Sequence, residues 1–234
     1  MILRILTTPS FFPLSLSLTI FSYLIIARLA NLNQPTLNLN PNQSPPLSFN
    51  STSIMASQAV YSVWAIPPED VAARCANLMT ALRSDFGGPH FQPHITLVGA
   101  IKLSADDALA KLRSASQALK PFHVTVNRVA AGTFFYQCVY LLLRPDPHLL
   151  EASAHSCTHF GYSSTTPYMP HLSLLYGDLS DEEKRKAQES ANAIDHTLSG
   201  LTFQVTRIAL YKTDTEDKTL KSWEKIAECT LTPN

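Results

Sequence analysis

No acidic residue precedes Glu69 in this 234-residue chain, and the only charged side chains before it are Arg4 and Arg28. Histidine is missing from the same stretch, because all eight histidines lie from His90 onward. The whole chain carries 18 Lys and Arg against 18 Asp and Glu, so its formal net charge is zero. The chain therefore has two unlike parts, and acid–base chemistry belongs to the second.

The chain also lacks a run of basic residues and any closely spaced pair of cysteines. Nucleic acid that is held electrostatically needs clustered Lys and Arg, so we expect no stable nucleic-acid binding. The four cysteines, Cys75, Cys138, Cys157 and Cys229, form neither a Cys-x-x-Cys metal motif nor a dense disulfide framework. We therefore expect reduced thiols.

Residues 1–54 predict an N-terminal leader. Residues 5–27 are uncharged and long enough to cross a bilayer, and residues 31–52 have the uncharged Asn, Pro, Ser, Thr and Leu composition of a linker. Three interpretations stay open: a signal peptide or signal anchor, an organellar transit peptide, or a leader upstream of a start at Met55. We expect membrane contact only if residues 5–27 are a retained anchor. The domain of residues 55–234 is expected in the cytoplasm, with an organelle or secretory membrane as the alternative.

The second part alternates strand-like and helix-like segments, which predicts an α+β domain rather than a strict βαβ repeat. A Gly-Thr pair predicts a hairpin turn between two of the strands. The predicted strands are Val60–Ile66, His94–Gly99, Phe122–Ala130, Phe134–Leu143, His171–Tyr176, Leu201–Tyr211 and Ser222–Leu231, and the predicted helices are Glu69–Phe86, Ser104–Leu119, Pro147–Phe160 and Ser180–Thr197.

One five-residue pattern occurs twice. Pro93–Leu97 reads Pro-His-Ile-Thr-Leu, and Pro170–Leu174 reads Pro-His-Leu-Ser-Leu. Side chains alternate along a strand, so the histidine and the hydroxyl residue share one face while the aliphatic residues point to the other. Each strand therefore presents an imidazole and a hydroxyl on its open face.

Two facing imidazoles suit general acid–base catalysis near neutral pH, with the hydroxyls as donors to an oxyanion. The predicted catalytic residues are His94 and His171, and Thr96 and Ser173 are the predicted donors. Imidazole is also a common zinc ligand, but a zinc site needs a third His, Cys or carboxylate, which the neighbouring residues do not supply. We therefore expect no metal and no other cofactor.

Beyond the motifs, four segments resemble the plant cyclic phosphodiesterases of the two-histidine phosphoesterase superfamily: Tyr61–Ala65, Gly132–Phe135, Thr165–Tyr176 and Lys212–Thr219. The resemblance covers essentially residues 60–233. It implies a bilobal α+β fold in which two pseudo-symmetric antiparallel sheets form a central cleft, with helices packed outside.

The resemblance also implies metal-independent hydrolysis of ribose cyclic phosphates. The family substrates are ADP-ribose 1″,2″-cyclic phosphate, a by-product of tRNA splicing that is opened to ADP-ribose 1″-phosphate, and nucleoside 2′,3′-cyclic phosphates, which are opened to 2′-phosphates. We expect a monomer whose partner is a small cyclic phosphate, with His171 as base and His94 as acid. Two alternatives stay open: an RNA-end phosphodiesterase or ligase of the same superfamily, and a non-catalytic nucleotide-binding module.

Two further site residues are carried over from the family. A tyrosine at the position of Tyr176 lines the family's cleft, although strict alternation from His171 would put it on the opposite face. A bend at Leu175–Gly177 would bring it back. Trp64 is expected to stack a base or a ribose, or else to be a core residue.

Overall fold

The computed structural model of the protein describes residues 57–233, so the predictions for residues 1–54 lie outside it. Helices and strands alternate as the sequence predicts. The strands are β1 (Gln58–Ile66), β2 (Ile95–Ser104), β3 (Phe122–Ala131), β4 (Val139–Leu143), β5 (His171–Leu175), β6 (Thr202–Val205), β7 (Arg207–Lys212) and β8 (Glu224–Thr230). The helices are α1 (Glu69–Phe86), α2 (Ala105–Ala118), α3 (Pro147–Phe160) and α4 (Asp181–Ile194). None of these helices is both long and apolar enough to span a membrane.

Local side-chain chemistry sets the helix ends. The Ser104 hydroxyl accepts a hydrogen bond from the backbone N–H of Asp107 and so caps α2. Ser180 and Glu183 form a reciprocal capping box at the start of α4. Helix α3 ends at Gly161, whose left-handed backbone (φ 67°) suits glycine.

The eight strands form one sheet in the order β6-β3-β4-β5-β2-β1-β7-β8. The order is symmetric about the contact between β5 and β2. On one side β5 lies next to β4, and the two are connected by α3; on the other side β2 lies next to β1, and the two are connected by α1. The α+β class and the pseudo-symmetric lobes are confirmed. The two expected sheets are halves of one continuous sheet, because β2 and β5 pair antiparallel at Ile95 and Leu172.

The segment predicted as one strand, Leu201–Tyr211, is two strands in different halves of the sheet. Strand β6 pairs with β3, whereas β7 pairs with β1. Only Thr206 separates them, so the outer parts of the two halves lie next to each other and the sheet curls. The one-strand prediction was wrong because the apolar pattern continues across Thr206 while the pairing partner changes.

The predicted strand Phe134–Leu143 is shorter in the structure. A single 3₁₀ turn, Phe135–Gln137, precedes β4, and the chain from β3 to β4 is therefore longer than a two-residue hairpin at Gly132–Thr133. This longer connection carries Tyr136 toward the cleft, as described below.

The helices cover one face of the sheet, and the main core lies beneath them. Ile95 and Leu97 of β2 and Leu172 and Leu174 of β5 are at most 2% exposed in this core. A second, smaller apolar cluster of buried residues lies apart from the core and contains Trp64. The histidines of both motifs alternate with the core residues, so they lie on the open, concave face.

Candidate active site

The two sequence motifs meet where β2 pairs with β5. Ile95 lies opposite Leu172, and the antiparallel direction then sets His94 beside Ser173 and Thr96 beside His171. All four polar side chains share the face that the helices leave open. The structure therefore brings the four predicted motif residues together, and each histidine lies beside the hydroxyl of the other motif.

Both imidazoles are held in the same way. The Nδ1 atom of His94 lies 2.6 Å from the carbonyl oxygen of Gln92, and the Nδ1 atom of His171 lies 3.0 Å from that of Met169. A carbonyl can only accept, so each Nδ1 carries the proton that it donates. In the neutral imidazoles Nε2 is then the basic nitrogen, available to a ligand in the cleft.

Burial distinguishes the two histidines. His94 is 4% exposed, and this burial lowers its pKa to about 4. The hydrogen bond to Gln92 acts in the opposite direction and raises the pKa, whereas the nearby His171 lowers it further. His171 is partly exposed, and burial also lowers its pKa. Both imidazoles are therefore neutral in the free protein near pH 7, His94 more firmly so.

The two motif hydroxyls have different partners. The Ser173 hydroxyl donates to the carbonyl of Tyr136 at 3.2 Å, and Ser173 is 5% exposed. The hydroxyl of the half-buried Thr96 has no hydrogen-bond partner within residues 57–233. Thr96 is therefore the donor that is free to bind an anion, whereas Ser173 must give up a backbone contact to do so.

Trp64 lies against His94 rather than opening toward a ligand. Its ring stacks on His94 at 3.5 Å between centroids and on Tyr211 at 3.7 Å, and Trp64 is only 2% exposed. His94 and Tyr211 thus occupy the indole ring in this structure, as for the core role that was the alternative, and the stacking of a base or a ribose on Trp64 stays a prediction. Its place in the site is beside the imidazole.

Tyr176 lies on the same face of the sheet as the motif histidines, although strict alternation from His171 would put it on the opposite face. The pairing of β4 with β5 shifts by one residue between Ser173 and Leu175, so the alternation of faces reverses before Tyr176. Its ring stacks on Phe91 at 3.8 Å, and Phe91 in turn lies edge-on to His94. Its ring also meets that of Tyr136 edge to face, with centroids 5.3 Å apart, and burial raises the pKa of Tyr176.

Sequence reasoning missed an aromatic group beside these residues. Tyr136 and Trp223 are half-buried, with near-parallel rings 5.8 Å apart, and both lie near Tyr176. The loop after β7 holds them, since Tyr136 donates to the carbonyl of Thr215 and Trp223 to that of Asp214. Neither residue belongs to a repeated motif, and only the folding of two distant loops onto one another joins them.

The structure also places the other residues that could carry reactive or metal-binding chemistry. The four cysteines are free thiols, and burial raises the pKa of Cys75, Cys138 and Cys157. Within residues 57–233 no three His, Cys, Asp or Glu side chains are grouped so that they could bind a metal ion.

Comparison with known proteins shows the family of this chain. Residues 67–217 match the sequence family described as the 2'-5' RNA ligase superfamily. The chain belongs to the 2'-5' RNA ligase superfamily. A cyclic phosphodiesterase from Arabidopsis thaliana is 54% identical over 174 residues, which are 74% of this chain and 96% of the relative. A cyclic phosphodiesterase from Triticum aestivum is 32% identical over 98 residues, 42% of this chain and 94% of the relative.

Two solved structures share the fold. E. coli LigT complexed with 3'-AMP superposes with a TM-score of 0.54 at 17% identity, over 76% of this chain and 100% of that one. A crystal structure of a phosphoesterase gives 0.52 at 16% identity over the same shares. The resemblance to plant cyclic phosphodiesterases and the expectation of a phosphodiesterase enzyme are confirmed.

Proposed function

We propose that the protein hydrolyses five-membered cyclic phosphates on a ribose, without a metal. The proposed substrates are ADP-ribose 1″,2″-cyclic phosphate and nucleoside 2′,3′-cyclic phosphates. The observation that carries the proposal is the matched pair of imidazoles, each with Nδ1 bound to a backbone carbonyl and Nε2 available. The opening of such an ester needs both a base and an acid, and the pair supplies one of each.

In the proposed reaction, one Nε2 takes a proton from water as the water oxygen attacks phosphorus. The bond from phosphorus to one ribose oxygen breaks, and the other imidazole, protonated at Nε2, gives its proton to that oxygen. For a nucleoside 2′,3′-cyclic phosphate the 3′ oxygen leaves and the product is the 2′-phosphate. The free Thr96 hydroxyl donates to a phosphoryl oxygen, where negative charge grows in the transition state.

The different burial of the histidines favours His94 as base and His171 as acid, the reverse of the assignment made from the sequence. A base must be neutral before the reaction, and the pKa of His94 is lowered to about 4. The acid must carry a proton, which the more exposed His171 gains more easily when an anionic phosphate binds.

The cleft itself is expected to hold a small ligand, because the side chains described above are imidazoles, hydroxyls and aromatic rings without Lys or Arg.

The test is an assay of the purified protein with ADP-ribose 1″,2″-cyclic phosphate and with 2′,3′-cyclic AMP, followed by identification of the products. The 1″-phosphate and the 2′-phosphate are expected. If neither substrate is opened, the proposal is wrong. If RNA with a 2′,3′-cyclic phosphate end is preferred and the KM depends steeply on salt, the RNA-end activity replaces it. The cytoplasmic place of the reaction and its link to tRNA splicing belong to the same proposal.

A further inference from the structure

The two halves of the sheet repeat one pairing register around the histidines. In the first half Trp64 pairs with Thr96, and the next pair in the ladder, Val63 with Val98, is shifted by one residue. In the second half Tyr140 pairs with Ser173, and the next pair, Val139 with Leu175, has the same shift.

This repeat makes Tyr140 the counterpart of Trp64. Each is the cross-strand partner of a motif hydroxyl, and each touches the histidine two residues before that hydroxyl. Trp64 lies flat on His94, whereas Tyr140 meets His171 edge-on, with ring centroids 5.2 Å apart and planes at 64°. Edge-on aromatic contacts of this kind stabilise one relative orientation of two rings.

We propose that Tyr140 is a positioning residue of the hydrolysis, and that its ring holds the imidazole of His171 with Nε2 toward the cleft as Trp64 holds that of His94. The proposal rests on the proposed function for its effect on turnover. The ring contact itself does not depend on that function.

The aromatic ring of Tyr140, rather than its hydroxyl, is the group that contacts His171. Tyr140 is 6% exposed, so almost its whole side chain is packed. Its hydroxyl has no hydrogen-bond partner within residues 57–233. His171 is also bonded to the carbonyl of Met169 and lies opposite Leu142 on β4, and neither of these is an aromatic ring. Two titratable groups lie near His171, His94 and Tyr140 itself, and the Tyr168 hydroxyl donates to the carbonyl of Thr96 beside it.

The test compares Tyr140→Leu, which removes the ring, with Tyr140→Phe, which keeps it. For 2′,3′-cyclic AMP we expect Tyr140→Leu to lower kcat by about 10–100-fold with little change in KM, because a misplaced catalytic group costs rate rather than binding. Tyr140→Phe should keep a kcat near that of the wild type. An NMR titration of the His171 imidazole gives a second readout, and its midpoint should rise in Tyr140→Leu because water replaces the ring.

Tyr61→Leu is the matched control. Tyr61 is 4% exposed on the core side of β1, so this change should lower the melting temperature without altering the kcat or the His171 titration. If Tyr140→Leu does not fold, Tyr140→Met takes its place, since methionine fills the space without a ring.

A wild-type kcat together with an unchanged His171 titration in Tyr140→Leu would overturn the proposal. So would a Tyr140→Phe variant that is as slow as Tyr140→Leu, because the hydroxyl would then be the active group. Full activity of His171→Ala would instead refute the proposed function, and the titration would still decide whether Tyr140 holds the imidazole.

Discussion

Trp64 lies flat on the imidazole of His94, with 3.5 Å between the ring centroids and 8° between the planes. This stack covers one face of His94, and Phe91 approaches the same ring from the edge. Because water is kept from the imidazole, its charged form is disfavoured and its pKa is lowered to about 4. The contact between Trp64 and His94 thus makes two equivalent sequence motifs unequal in chemistry.

Chelation should leave the activity unchanged. The proposed reaction draws its base, its acid and its oxyanion donor from His94, His171 and Thr96, so it needs no Lewis acid. We expect the same kcat for 2′,3′-cyclic AMP after prolonged dialysis against EDTA as before it. Loss of turnover that zinc restores would show that the proposed mechanism is wrong.

Replacing either histidine should slow the reaction strongly. His94→Ala and His171→Ala are each expected to lower kcat/KM by about 10²–10⁴-fold, the usual contribution of general acid–base catalysis. His148→Ala, on the exposed first turn of α3, is the control and should retain full activity. A variant of either motif histidine with near-native rates would exclude the pair.

The pH dependence of kcat/KM should be bell-shaped. Protonation of the base removes activity at low pH, and deprotonation of the acid removes it at high pH. With His94 as base, the low-pH limb is expected to lie below the ordinary histidine pKa near 6.5, since burial lowers the pKa of His94. A profile that is flat from pH 4 to 9 would contradict a role for two titrating imidazoles.

Removal of the Thr96 hydroxyl and removal of the Ser173 hydroxyl should have different effects on turnover and stability. Thr96→Val keeps the shape and removes a free donor, so kcat should fall by about 10²–10³-fold, as for oxyanion-hole donors, at an unchanged melting temperature. Ser173→Ala also breaks the bond to Tyr136, so it should lose about 0.5–1.5 kcal/mol of stability and less turnover than Thr96→Val. Melting temperature and kcat, measured together, check both. Unchanged turnover in Thr96→Val would remove Thr96 from the site.

Stability should fall in acid because of His94. Its pKa is lowered to about 4 in the folded protein, while the unfolded chain has the ordinary value near 6.5. Between pH about 6.5 and about 4 the unfolded state therefore binds a proton at His94 that the folded state does not bind. The free energy of unfolding should then decrease by up to about 1.4 kcal/mol per pH unit until pH about 4.

Urea unfolding at several pH values between 7 and 4 measures this decrease. The variant His94→Gln lacks the titrating group and should lose stability less steeply over the same range, whereas His148→Ala should behave as the wild type does. Equal slopes for the wild type and His94→Gln would show that the burial of His94 does not control the acid stability.

The sequence alone predicted the four helices and the two motifs. The helix Glu69–Phe86 is found with the predicted bounds, because its apolar spacing and the flanking Pro68 and Gly87 are local signals. The sharing of a face by His94 and Thr96 likewise follows from strand alternation, which depends only on the backbone. These properties need no knowledge of the partner strand.

Tertiary structure decided what depends on pairing and on contacts between distant segments. The division of Leu201–Tyr211 into β6 and β7 follows from two different partner strands, and the place of Tyr176 follows from a one-residue shift in pairing with β4. His94 and His171 also differ in burial and in ring contacts, since Trp64 stacks on His94 whereas Tyr140 and His171 meet edge to face. The motif sequence is nearly the same in both places, so only the packing around it could separate the roles of the two histidines.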